Sequence, residues 1–216
     1  MAGRITALTY QKRNKDRVNV YLDGEFAFGL TVVEAARLRV GQTLGDDDIT
    51  KLRMRDSVEW AYGRALDYLS YRPRSESEVR RNLGDKDVED QIVDRVIGRL
   101  KRAGLVDDRE FARYWVENRA RFNPRGRRGL RHEMRQKGVP REIIDEALET
   151  FDVEAAARKV AEAGASRLSQ EDPSAFRRKL QAYMARRGFS YEVIKPLVEE
   201  RVEERRREDD IESEGE

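Results

Sequence analysis

A block of about fifty residues recurs three times along this chain, and any fold open to the sequence must accommodate that period. At a spacing of 51, Trp60, Ala61, Ala65, Leu69, Pro73, Val79, Leu83, Val88, Ile92, Val93 and Ile97 recur as Phe111, Ala112, Val116, Ala120, Pro124, Leu130, Met134, Val139, Ile143, Ile144 and Leu148. A further step of 50 carries Leu130, Met134, Lys137, Gly138, Val139, Ile143, Ile144 and Leu148 onto Leu180, Met184, Arg187, Gly188, Phe189, Val193, Ile194 and Val198. Apolar residues on helices align by chance every few positions, but chance does not also set Pro73 over Pro124 and Gly138 over Gly188. A coiled coil would need heptads unbroken by Gly and Pro. The period therefore predicts a modular array whose units bury apolar faces against one another and present an extended surface.

Within each copy the hydrophobic period is helical. Asp46, Asp47 and Asp48 sit where an N-cap and first-turn acids belong, and Ile49, Leu52, Val58, Ala61, Ala65 and Leu69 form a stripe that Pro73 halts. Ser75 or Ser77 can cap a second helix carrying Val79 and Leu83, and a third carries Ile92, Val93, Val96, Ile97 and Leu100 before Gly104 closes it. The order repeats, with Gly138 and Gly188 after the second helix and Pro140 or Ser190 opening the third. The first helix of the third copy, marked by Ala156, Val160 and Ala161, fits the register least well.

The leading segment differs. Val18, Val20 and Leu22 alternate with polar residues, Asp23-Gly24 supplies hairpin-turn chemistry, and Phe26, Phe28 and Leu30 resume the alternation. Ile5 to Tyr10 adds a third strand. Thr31 and Glu34 form a capping box for a short helix through Leu38, ended by Gly41. So small a core is marginal alone and should dock on the helical region. The predicted fold is mainly α, a tandem array of three three-helix repeats (46–106, 107–152 and 153–204). A small antiparallel β-meander with a short helix (1–45) precedes the array, and a charged, disordered tail (205–216) follows it. The acids that close the tail read as solubilising, with shielding of basic residues as the alternative.

Several function classes lose support at once. The chain has no cysteine, which removes disulfides, thiolate metal sites and cysteine nucleophiles. Nothing near the start resembles a signal peptide and no segment approaches a membrane span, so the expected location is the cytoplasm. The single histidine, His132, lies between Arg131 and Glu133 without partners for a triad or metal site. Asp107-Asp108 precedes Phe111 and Ala112 as a helix cap would, which outweighs a magnesium site. Residues 124–129 are glycine- and arginine-rich but lack the lysine and hydroxyl of a phosphate loop and follow a helix. The expectation is a protein without catalytic residues, metal or cofactor.

Charge offers the one positive signal. Charged residues make up 40% of the chain yet the net charge is only +2, so only local clustering informs. Between Arg119 and Arg141 the nine basic residues Arg119, Arg121, Arg125, Arg127, Arg128, Arg131, Arg135, Lys137 and Arg141 face a single acid, Glu133. On the second helix of copy two, Arg127, Arg128, Arg131 and Arg135 share a face that Leu130 and Met134 avoid, giving a basic ridge opposite a core stripe. Guanidinium groups so dense repel one another unless an anion joins them. Copy three repeats the theme at Arg177, Arg178, Lys179, Arg186 and Arg187, and phosphates or carboxylates would both satisfy it.

The residues also resemble a known family. Tyr68-Leu69-Ser70-Tyr71-Arg72-Pro73-Arg74-Ser75 with Glu78-Val79 and Leu83 looks like the opening motif of the RecX regulatory proteins. Leu100 with Gly104-Leu105-Val106-Asp107-Asp108 and Phe111-Ala112, then Glu133-Met134 with Lys137-Gly138-Val139, then Arg186-Arg187-Gly188-Phe189, match its later blocks in order. Val79 and Met134 stand where leucine is commoner, and the arginine-rich loop at Arg125–Arg128 and the acidic tail look peculiar to this chain. The resemblance implies a non-enzymatic modulator built of tandem three-helix repeats. Such proteins lie in the groove of the RecA nucleoprotein filament and restrain its ATPase, co-protease and strand-exchange activities. On that footing Arg119, Arg125, Arg127, Arg128, Arg131, Arg135 and Lys137 are the expected contacts with RecA or DNA, extended by Arg72, Arg74, Arg186 and Arg187. The expected partners are the RecA filament and, weakly and without sequence preference, single- and double-stranded DNA, met by a monomer. The rival readings are an autonomous helical DNA-binding module and, with less support, a metal nuclease using Asp107, Asp108 or Glu133.

Overall fold

The computed structural model describes residues 2–214, with side chains from 2 to 207. It divides into two compact units, one running to Arg74 and including Glu78–Val106, the other made of Ser75–Ser77 and Asp107 onward.

The first unit opens with β1 (Gly3–Tyr10), β2 (Arg17–Leu22) and β3 (Glu25–Thr31), the antiparallel meander that the alternation predicts. Val18, Val20 and Leu22 point inward with Phe28 and Leu30, while Asp23 (φ 49°) and Gly24 (φ 93°) make the left-handed turn between β2 and β3. The sheet has a fourth strand that the pattern missed. β4 (Thr43–Leu44) pairs with Gly3 and Arg4, giving the order β3-β2-β1-β4. At two residues it is too short to show alternation, and its place is set by the backbone ladder and by Leu44, which fills the core.

Between β3 and β4, α1 (Val32–Ala35) is shorter than the expected helix to Leu38. The Arg37 and Leu38 N–H groups bond carbonyls three residues back, so the end tightens into a 3₁₀ turn. The capping box is also only half made. Thr31 accepts the Glu34 N–H at 3.5 Å, but the Thr31 N–H goes to Asp56, whose other oxygen meets Arg17 at 3.1 Å. Glu34 is instead buried, paired with Arg37 at 3.0 Å and Arg55 at 3.1 Å. A buried carboxylate needs such partners, and the neighbouring helix supplies one.

That helix, α2 (Asp46–Ser70), joins the sheet to the first repeat. Ile49 and Leu52 complete the sheet's core, whereas Ala61 and Ala65 join Val79 and Leu83 of α3 (Glu76–Gly84) and Val93, Val96, Ile97 and Leu100 of α4 (Asp90–Arg102). The cap of α2 is Gly45, to whose N–H Asp48 reaches back at 3.0 Å.

The second unit holds α5 (Asp108–Phe122), α6 (Arg127–Gln136) and α7 (Arg141–Glu149), then α8 (Val153–Arg167), α9 (Pro173–Arg186) and α10 (Tyr191–Glu214). A single continuous core runs from Phe111 to Val198 and includes Leu130, Met134, Ile144, Phe176, Leu180 and Met184. Each such buried side chain contributes about 1.5–3 kcal/mol, so the two sets of three helices cohere through packing rather than through propensity. The region expected to be a disordered tail from residue 205 begins inside α10. Ion pairs Arg201–Glu204 at 2.6 Å and Glu203–Arg207 at 3.6 Å support the helix past Val202. The acidic side chains from 208 onward, and residues 215–216, lie outside the described residues.

Both α6 and α9 end in a glycine with positive φ, Gly138 (74°) and Gly188 (84°), closed by Val139 N–H to Met134 O and Phe189 N–H to Met184 O. The carbonyls just before these glycines accept from equivalent positions, Lys137 O from the Ser75 hydroxyl and Arg187 O from the Gly126 N–H at 2.9 Å. Gly188 then lies so close to the start of α6 that a Cβ on it would stand 2.2 Å from Gly129 N. Gly188→Ala therefore combines a strained φ with a backbone overlap, and is expected to lower stability in urea by about 2 kcal/mol or more. Gly63→Ala, in open space inside α2, should raise it by roughly 0.5–1 kcal/mol.

Candidate functional site

The basic ridge exists, and α6 is turned as its pattern predicts. Leu130 and Met134 are buried, while Arg127, Arg128 and Arg135 are exposed and Arg131 is half-buried. What the sequence did not disclose is how the guanidinium groups are divided between the protein's own acids and solvent.

Glu133 gathers one set. Its Oε2 accepts from Arg119 Nε at 2.7 Å and from Trp115 Nε1 at 2.9 Å, and its Oε1 lies 3.4 Å from Arg125 Nε. The Arg119 guanidinium and the Lys137 ammonium sit over the Trp115 ring, 4.3 Å and 4.4 Å from its centroid. Arg119, Arg125 and Lys137 thus belong to a network built around one aromatic ring and one carboxylate.

Asp145 of α7 gathers another. Arg131 donates to its Oδ1 through Nη2 at 2.9 Å and Nε at 3.3 Å, and Arg141 reaches Oδ2 at 3.5 Å. The Arg131 hydrogen bonds hold the Asp145 carboxyl below the usual carboxylate range, partial burial opposes this, and the charges of Arg131 and Arg141 add to the lowering. Arg127, Arg131, Arg135 and Arg141 together line a depression of about 330 Å³ with Asp145, Leu148 and Glu149.

Among the described residues Arg127, Arg128 and Arg135 make no ion pair; Arg127 donates only to the Phe151 carbonyl, at 3.3 Å. In the third repeat Arg186 is likewise exposed without an ion pair among the described residues, and Arg187 lies over the Tyr183 ring at 3.7 Å. Burial draws the Arg187 pKa below the usual arginine value. Tyr183 opposes this, and the like charges of Arg125, Arg167 and Arg186 reinforce it. Arg167 was not expected here.

Arg72 and Arg74 lie in the first unit. Arg72 grips Glu78 through two bonds, at 2.7 Å and 3.2 Å, and Arg74 stacks over Tyr68 at 4.0 Å. His132 is exposed, 3.0 Å from the Gln136 amide. Asp107 caps α5 by accepting from the Arg109 and Glu110 N–H groups, as its position suggested. Among the described residues no group of three or more His, Cys, Asp or Glu could hold a metal ion, and no helix is long and apolar enough to cross a membrane.

Family models cover most of the chain. The model described as RecX, second three-helix domain, matches residues 107–148, and those described as the first and third three-helix domains match 61–100 and 152–198. A model for the Regulatory protein RecX N-terminal domain matches 3–45. Among relatives, the proteins named Regulatory protein RecX from Bacillus licheniformis and Bacillus subtilis are 35% and 32% identical over 201 residues, with 91% of this chain and 76% of each relative covered. Two crystal structures are similar. One of regulatory protein RecX has a TM-score of 0.70 at 30% identity and covers 90% of this chain and 98% of that one. One of RecX from Lactobacillus salivarius has a TM-score of 0.60 at 25% identity and covers 68% and 97%.

Glu133 holds three partners at once, so Glu133→Ala should lower stability by about 1–3 kcal/mol and shift Trp115 fluorescence as the indole N–H loses its acceptor. Urea titration followed by tryptophan emission reads both effects.

Proposed function

The chain belongs to the RecX family of regulatory proteins, and from that membership we propose that it is a non-enzymatic regulator of RecA. It binds the RecA nucleoprotein filament through the outer face of α6 and restrains the filament's ATPase, recombinase and co-protease activities. What supports the reading is that three arginines of that face have no carboxylate partner among the described residues. Arg127, Arg128 and Arg135 are exposed without a carboxylate among the described residues, while Arg119 and Arg131, in the same stretch, have one each. An exposed guanidinium that no internal acid neutralises is available to the phosphates or acidic side chains of a partner. Arg186 extends this set, and contact with DNA is weak and indifferent to sequence, since pairs between guanidinium groups and backbone phosphates carry no sequence information.

Replacing Arg127, Arg128 and Arg135 together with alanine leaves the buried face of α6 untouched, so circular dichroism should be unchanged. Inhibition of RecA ATPase on single-stranded DNA should then need roughly tenfold more protein, with a gentler dependence on salt. Inhibition equal to that of the parent would remove the assignment. Tight, sequence-selective binding of naked duplex DNA by the parent would favour an autonomous DNA-binding module instead.

A further inference from the structure

The depression beside α6 contains its own anion. Four guanidinium groups line it, and the carboxylate of Asp145 occupies two of them, Arg131 and Arg141. Arg131 turns both Nε and Nη2 toward the single oxygen Oδ1, at 3.3 Å and 2.9 Å. The guanidinium fork that meets this carboxylate serves a phosphate equally well. Among the described residues the remaining two members are not engaged with acids. Arg127 is steadied by the Phe151 carbonyl, and Arg135 is exposed.

The same residues lie in a row. Arg127, Arg131 and Arg135 follow one another by a turn of α6, a rise of about 6 Å each. That step is close to the separation of neighbouring phosphates in an extended nucleotide strand, and Arg128 flanks the row. Asp145 stands at its middle, where a carboxylate repels any phosphate that does not displace it.

We propose that Asp145 is a resident substitute for a phosphodiester: it holds Arg131 and Arg141 in place in the free protein, and a nucleic-acid phosphate exchanges with it while Arg127 and Arg135 take the phosphates on either side. This deepens the reading of α6 as the binding face and rests on it. The exchange keeps the arginines ordered before the ligand arrives, which lowers the entropic cost of binding. It also limits affinity, since each binding event must break an existing ion pair and leave a carboxylate beside the incoming phosphate. Asp145 is therefore a regulator of nucleic-acid affinity rather than a brace for α7.

The test omits RecA, so its failure is separate from failure of the filament assignment. Fluorescence anisotropy with a fluorescein-labelled oligothymidylate compares the parent with Asp145→Asn between 50 and 200 mM salt. The proposal expects the Asn variant to bind roughly three- to tenfold tighter, with a steeper salt dependence. It expects Asp145→Glu, which keeps the charge, to stay near the parent. Equal or weaker binding by a folded Asn variant overturns it. A second measurement needs no variant. On titration of the labelled parent with oligothymidylate, the Arg131 Nε resonance should shift, with poly-L-glutamate at matched charge giving a smaller change. An unmoved Arg131 resonance, or equal response to poly-L-glutamate, overturns the phosphodiester assignment.

Discussion

The contact on which the second unit depends is a backbone approach that tolerates no side chain. Gly188 ends α9 in a left-handed conformation, the carbonyl before it accepts the Gly126 N–H, and Gly188 itself rests against Gly129. Two repeats are thereby fixed at the distance at which Phe111, Leu130, Met134, Leu180 and Met184 close into one core. Because Leu130 and Met134 face inward, the opposite side of α6 must carry its arginines into solvent. The glycines that set the repeat register in the sequence thus also determine which way the basic face points.

Orientation alone does not single that face out as the proposed binding surface; the distribution of carboxylates is what supports it. Glu133 draws Arg119 and Arg125 into a network with Trp115, and Asp145 draws in Arg131 and Arg141, so much of the local excess of positive charge is answered inside the protein. Among the described residues no carboxylate pairs with Arg127, Arg128 or Arg135, nor with Arg186 in the next repeat. Dense arginine in a sequence is therefore not equivalent to available arginine. The contact we propose for α6 needs only a few available groups if neighbouring ones hold them in register.

The helical array was legible because its signals are local: apolar spacing, Pro73 and Pro124 as stops, and Gly104, Gly138 and Gly188 as left-handed ends. The first helix of the third repeat was faint because Ala156, Ala157, Ala161 and Gly164 replace large side chains there. Gly164 instead lets Leu180 and Tyr183 approach, where a Cβ would stand 2.6 Å from Leu180 Cδ1. β4 was invisible because its existence depends on a partner strand far away in sequence. The half-made capping box of α1 has the same cause, since Asp56 and Arg55 arrive from α2. The candidate site was legible as a composition and not as a pairing pattern. Glu133 was visible as the one acid within the basic stretch, but its bond to Trp115 is tertiary, and Asp145 lies just beyond the stretch that drew attention.

Whether Glu133 commits Arg119 to the fold while Arg128 is left to face a ligand is read out by one pair of single variants, Arg119→Ala and Arg128→Ala, each measured for urea stability and for the salt dependence of oligothymidylate binding. Arg119→Ala should lose stability with its salt slope unchanged, while Arg128→Ala should keep its stability and lose about one unit of slope. The reverse pattern, or equal losses of slope in both variants, would contradict this division of roles.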